Sequence, residues 1–85
     1  MSYTIIVSKS AQKVLKALPR KQQLRIIGVI DTLAQNPFPP SSLKLKGRDG
    51  FRLRTNDYRI IYTVENQMLI VHVLAIGHRK DIYKK

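Results

Sequence analysis

Four arginines, Arg52, Arg54, Arg59 and Arg79, dominate the chemistry available to this chain. A guanidinium is planar, stays charged at any working pH and donates paired hydrogen bonds, which suits it to phosphate. Aimed at a phosphorus centre, such donors stabilise the charge that builds up during phosphoryl transfer. An RNA-cleaving site of this kind needs no metal when the ribose 2′-hydroxyl is the nucleophile. It needs a base for that proton, an acid for the leaving oxygen, and cations around the phosphate. His78 and Tyr83 are the titratable candidates near Arg79, and Tyr83 is also able to stack on a base. Whether the arginines share one surface or lie on separate solvated patches depends on the elements that carry them.

The overall charge points the same way. Sixteen Lys and Arg against five Asp and Glu give a net charge of +11. Such a field concentrates polyanions at the surface, so nucleic acid, the ribosome and an acidic protein are the partners to consider, beside a basic surface that is merely solvated. Other chemistries are poorly served. Cysteine is absent, which excludes disulfides, thiolate catalysis and Cys-ligated metal. Three of the five acids, which are Asp31, Asp49, Asp57, Glu65 and Asp81, sit in expected turns or beside arginines, which argues against a carboxylate metal site. His72 reads as a sheet histidine, and His78 is the only other one, too few for zinc. No metal and no cofactor are expected. Ser8, Ser10, Ser41 and Ser42 lack a nucleophile-elbow context, and no glycine-rich phosphate loop is present. Phe51 and Tyr58 lack the spacing of an RNA-recognition-motif sheet and read as core.

The elements follow from hydrophobic period. With 85 residues, 44% of them hydrophobic, residues 1–85 make one domain. No apolar run approaches the roughly 20 residues that span a bilayer. The first ten residues lack the basic start and apolar stretch of a signal peptide, so a cytoplasmic protein is expected. Residues 3–7 are β-branched and aromatic and read as a strand. Ser8 and Ser10 are both N-cap candidates for a helix whose apolar face is Ala11, Val14, Leu15 and Leu18. Pro19 should end that helix or open the next one, whose apolar set is Ile26, Ile27, Ile30, Leu33 and Ala34. Gly28 lies inside it and marks close helix packing. The prolines at 37, 39 and 40 make a stiff connector. Beyond them the period is two. Leu43 and Leu45 alternate with Lys44 and Lys46, and Phe51 and Leu53 alternate with Arg52 and Arg54. Strands over 58–65 and 68–76 follow, joined by a turn at Asn66 and Gln67. The expectation is an α+β fold, order βααβββ, with a helical hairpin packed on one face of a small twisted antiparallel sheet. If Leu53 and Tyr58, Ile60 and Tyr62 face the helices, then Arg52, Arg54 and Arg59 face the open side, with Arg79 near its end.

Taken together, an opening strand with Ser-x-x-Ala-x-Lys, a helical hairpin, Lys-Leu-Lys-Gly, Asp57-Tyr58-Arg59-Ile60-Ile61-Tyr62 and Gly77-His78-Arg79-Lys80-Asp81-Ile82-Tyr83 resemble the RelE-type toxins of the RelE/ParE superfamily. The resemblance covers essentially the whole chain. It implies a microbial toxin that enters the ribosomal A site and cleaves mRNA there without metal, through the 2′-hydroxyl. It also implies a cognate antitoxin that wraps and neutralises the toxin, and contact with operator DNA only through that antitoxin. By the resemblance, Arg59 contacts the scissile phosphate, Arg79 stabilises transition-state charge and Tyr83 stacks on the cleaved nucleotide. Lys44, Lys46, Arg48 and Lys80 would hold RNA around them. Arg52 and Arg54 stand where the founding member has lysines, one proposed there as general base. An arginine, with a pKa above about 12, is a poor base. Charge stabilisation and positioning, or His78 as the proton carrier, would then do that work. Two further readings are a ParE-like inhibitor of DNA gyrase, which shares the fold but not the catalytic set, and a degenerate toxin kept for antitoxin binding.

Overall fold

A computed structural model of the chain describes residues 2–55 and 58–78. Strand β1 (Thr4–Val7) leads within one residue into helix α1 (Lys9–Ala17), and Ser8 makes the corner. Its hydroxyl accepts from the Ala11 N–H at 3.1 Å and donates to the Leu74 carbonyl at 2.9 Å, so one side chain caps the helix and ties it to the sheet. Of the two expected caps, Ser8 is the one used. Pro19 opens α2 (Arg20–Gln35), its carbonyl accepting from the Gln23 N–H at 2.9 Å. The Gln23 side chain donates back to the Leu15 carbonyl at 3.2 Å, closing the hairpin and occupying an end-of-helix acceptor.

Both helices lie on one side of a five-stranded sheet of order β1-β5-β4-β3-β2. Its other strands are β2 (Ser42–Lys44), β3 (Phe51–Thr55), β4 (Tyr58–Glu65) and β5 (Ile70–His78). Ala11, Ile26, Ile30 and Leu33 of the helices meet Leu53, Ile60, Tyr62, Val71, Val73 and Ile76 of the sheet. Each large apolar side chain fully buried there contributes about 1.5–3 kcal/mol. The α+β class and the helical hairpin are as expected.

Three features differ from the expectation. The order is βααββββ, because the residues after the proline run form a short edge strand of their own. The sheet is mixed, because β1 runs parallel to β5, with Ile5 beside Val71 and Val7 beside Val73. A parallel neighbour requires a long crossover, which the rest of the chain supplies. Last, β5 begins at Ile70, since residues 66–69 form the turn and Leu69 takes a left-handed φ of 54°.

The proline connector is held from the sheet. The Tyr62 hydroxyl donates to the Pro37 carbonyl at 2.8 Å, and Phe38, Phe51 and Tyr62 pack in series with centroids 5.2 and 5.7 Å apart. The turn into β3 closes with the Leu45 N–H on the Gly50 carbonyl at 3.0 Å. Gly50 is needed there: its φ is 130°, and a Cβ would lie 3.1 Å from the Tyr62 carbonyl oxygen.

Two helix expectations are corrected. Ile27 is 37% exposed, because the buried arc of α2 runs through Ile26, Ile30 and Leu33 and leaves position 27 about 100° away from it. Gly28 faces open space, with no atom within 4 Å of an added Cβ, so it marks no close packing in the described structure.

Two outcomes are expected. Gly28→Ala should stabilise the fold by about 0.5–1 kcal/mol in urea titrations, since it restores helix propensity without a clash. Tyr62→Phe should destabilise it by about 1–3 kcal/mol at neutral pH, by leaving the Pro37 carbonyl unsatisfied. Burial pushes the Tyr62 phenol above its ordinary 10.0, with the Ser42 side chain acting weakly against this. The unfolded phenol therefore ionises first. Its contribution to stability is intact below pH ~10 and is lost as pH rises through the folded value. The Phe variant should lack that part of the alkaline loss when urea midpoints at pH ~8 and ~11 are compared.

Candidate functional site

The site is built by the register of β3 on β4. Leu53 pairs with Ile60, Arg54 with Arg59 and Arg52 with Ile61. Leu53 and Ile60 are both buried against the helices, so the alternate positions turn the other way. Arg52, Arg54 and Arg59 thus share the face away from the helices. Arg54 is exposed and Arg52 half-buried, whereas Arg59 is only 7% exposed. On its other side Arg59 pairs with Gly77, which has no side chain. A buried guanidinium is held in few rotamers, so a ligand that meets it loses little side-chain entropy there.

The two arginines that face each other across the strands repel. Residues in direct cross-strand register have Cβ atoms about 4.5–5.5 Å apart, and like charges there are destabilising. The sheet tolerates the pair because the Leu53–Ile60 burial on the opposite face fixes the same register.

Leu43 pairs with Arg52 and so borders this face, whereas Lys44 pairs with Phe51, which stacks on the buried Tyr62, and is turned to the helix side, so the RNA contact expected of Lys44 is not on the arginine face. A groove at this edge is lined by Leu43, Lys44, Leu45, Lys46 and Arg52. Arg48 is exposed in the turn between β2 and β3. Leu43 was not singled out from the sequence, yet it is 55% exposed on the arginine face. The run of alternating Leu and Lys shows a strand but not which of its faces is buried.

His78 is not placed with the arginines. It pairs with Tyr58, and their rings meet edge-on with centroids 5.7 Å apart. Tyr58 packs against the core, so His78 lies on the helix side of the sheet. The cause is a bulge in β5. Ile61 pairs with Ala75 but Tyr62 with Val73, so Leu74 is an extra residue. Inward positions run Val71, Val73, then Ile76, and the parity of everything after Leu74 is reversed. The Ser8 hydroxyl holds the bulged carbonyl. Arg79, Lys80 and Tyr83 lie outside the described residues. Among the described residues no three His, Asp or Glu side chains gather as a metal-binding group.

A helical hairpin on a mixed five-stranded sheet of this order is the fold of the RelE toxins. The toxin–antitoxin complex RelBE2 of Mycobacterium tuberculosis contains a chain that superposes with a TM-score of 0.83 at 22% identity, covering 93% of this chain and 100% of that one. The archaeal RelE–RelB complex of Pyrococcus horikoshii contains one with a TM-score of 0.79 at 29% identity, covering 93% and 97%. In sequence, the chain is 31% identical over 88 residues to a Methanocaldococcus jannaschii protein assigned as toxin RelE1, covering 99% of this chain and 98% of that one. Residues 5–83 match the family model of the ParE toxin of type II toxin–antitoxin systems. The chain therefore belongs to the RelE/ParE family of type II toxin–antitoxin toxins.

The opposed arginines generate a prediction. Arg54→Gln should raise the thermal midpoint at low salt, by an amount equivalent to about 0.2–1 kcal/mol. Added inorganic phosphate should stabilise the native protein more than the variant, as followed by circular dichroism melts.

Proposed function

We propose that this chain is the toxin of a type II pair and an endoribonuclease that cleaves mRNA in the ribosomal A site. The observation that carries the reading is the convergence of Arg52, Arg54 and Arg59 on the sheet face away from the helices, with Arg54 and Arg59 in direct register. Like charges brought together this closely favour a polyanion between them. The family membership and the similarity to named RelE toxins support the choice of mRNA.

In this reading the ribose 2′-oxygen attacks the adjacent phosphorus and the 5′-oxygen of the next nucleotide leaves. The products are a 2′,3′-cyclic phosphate and a 5′-hydroxyl. Arg59, fixed by burial, binds the scissile phosphate. Arg52 and Arg54 offset the charge that develops on its oxygens, and Arg79 adds to this from beyond β5. Tyr83 stacks on the cleaved nucleotide. Lys46, Arg48 and Lys80 hold the flanking backbone, and Lys44 is left out because its register with Phe51 turns it to the helix side. His78, packed on Tyr58 across the sheet, is poorly disposed to take the 2′-proton, so that proton passes to solvent water, water returns one to the leaving 5′-oxygen, and the chain contributes positioning and charge stabilisation. The work is done in the cytoplasm, where the ribosomes are.

An antitoxin of acidic character is the natural partner. It would cover the basic face or add a strand to a sheet edge, and it would carry any contact with operator DNA. That relatives were crystallised as RelE–RelB complexes supports this reading. One observation favours a second reading, inhibition of DNA gyrase without RNA cleavage: the matching family model is that of the ParE toxins.

Mapping new 5′ ends on programmed ribosomes separates the two. Cuts confined to the A-site codon, absent from ribosome-free mRNA, are expected from the native chain. Arg79→Ala should slow cutting by about 100-fold or more, the size of effect seen when a transition-state donor is lost. Arg59→Lys, chosen because Arg59 is buried, should do likewise while its melting curve stays cooperative. An intact gyrase-inhibition assay with no cuts would establish the second reading.

A further inference from the structure

Leu43 is an apolar side chain standing among cations. It is 55% exposed on edge strand β2, in register with Arg52. Single exposed leucines are ordinary on protein surfaces. This one is the shared wall of two adjoining grooves of about 400 Å³ each. Lys44, Lys46 and Arg52 line one with it, and Ser41, Arg52 and Arg54 line the other. The Leu43 methyl groups, with the Arg52 and Arg54 guanidiniums on the same face, fit a ligand that has an apolar face and an anionic group beside it. A nucleotide within a single strand is such a ligand: its base has a flat apolar face and each neighbouring linkage carries a charge.

We infer that Leu43 and Arg52 form a base-binding subsite for one nucleotide of single-stranded RNA, next to the phosphate position at Arg54 and Arg59. The inference rests on the reading of the arginine face as an RNA site, and it assigns Leu43 as a positioning and specificity residue. The base lies on the Leu43 methyl groups. Arg52, already placed at the scissile phosphate, closes the subsite on its phosphate side, and Leu43 carries the base contact. Ser41 contributes a hydroxyl at the groove rim. The subsite fixes which linkage reaches Arg59, so the base it holds would govern where the strand is cut.

The test uses the full chain with methyl-labelled leucine and a 2′-O-methyl trinucleotide, which lacks the nucleophile. The trinucleotide should shift the Leu43 methyl resonances. An abasic analogue at the bound position should leave them in place. Leu43→Ala should weaken trinucleotide binding by about 5–10-fold and leave binding of the abasic analogue unchanged. Leu43→Met, which keeps an apolar surface, should restore most of the loss. On ribosomes, Leu43→Ala should flatten the dependence of cutting on one codon base. Unmoved Leu43 methyls at millimolar trinucleotide would overturn the inference. So would equal losses for intact and abasic ligands, or a variant that loses antitoxin binding while RNA binding stands. Base-dependent binding without any cutting by the native chain would uphold the subsite and reject the nuclease reading. Cutting by Leu43→Ala with unaltered codon preference would do the reverse.

Discussion

The register between β3 and β4 is the constraint on which the rest depends. A slip of β3 by one residue would turn Leu53 to solvent and bring Arg54 inside. Each buried apolar side chain is worth about 1.5–3 kcal/mol, whereas a like-charge cross-strand pair costs about 0.2–1 kcal/mol. Burial therefore decides the register, and the arginines take the positions that remain. The functional face is a consequence of the core.

A second constraint places β2. Three residues of edge strand have little stability of their own. They are held because Tyr62 reaches out of β4 to the Pro37 carbonyl, and because Phe38 and Phe51 continue the aromatic row. Gly50 lets the turn pass close to the Tyr62 backbone. Tyr62 thus anchors the connector from the core side, and the pairing of β2 on β3 places Leu43 beside Arg52.

How much of this was legible in the sequence depended on the range of the cause. The helical hairpin was readable, because its apolar positions repeat locally and Pro19 punctuates it. The shared face of Arg52, Arg54 and Arg59 was readable, because strict alternation runs through both strands. The parallel pairing of β1 was not, since its partner lies at the other end of the chain and no local pattern names it. Nor was β2, whose alternation fits either face. His78 is the instructive failure. Continuing the alternation of Val71 and Val73 places it outward, and only the extra residue at Leu74 turns it inward. A bulge leaves little trace in hydrophobic pattern, because the step from Val73 to Ile76 also looks like ordinary irregularity near a strand end. The hydroxyl that stabilises it, Ser8, is 66 positions away.

This separation of causes bears on recognition. The net charge of +11 acts over about a Debye length, roughly 8 Å at physiological salt, and it draws any polyanion toward the surface. It gives rate and affinity but little choice between one nucleotide and the next. Choice requires contacts at van der Waals range, set in fixed positions relative to the charges. The arginine face has two such positions, at opposite ends of the β2–β4 register. One is Arg59, immobilised by burial beside Gly77. The other is Leu43, placed by its backbone register with Arg52. The span between them is set by backbone hydrogen bonds and not by long flexible side chains. A ligand drawn in by charge is therefore measured against a ruler that the core has already fixed.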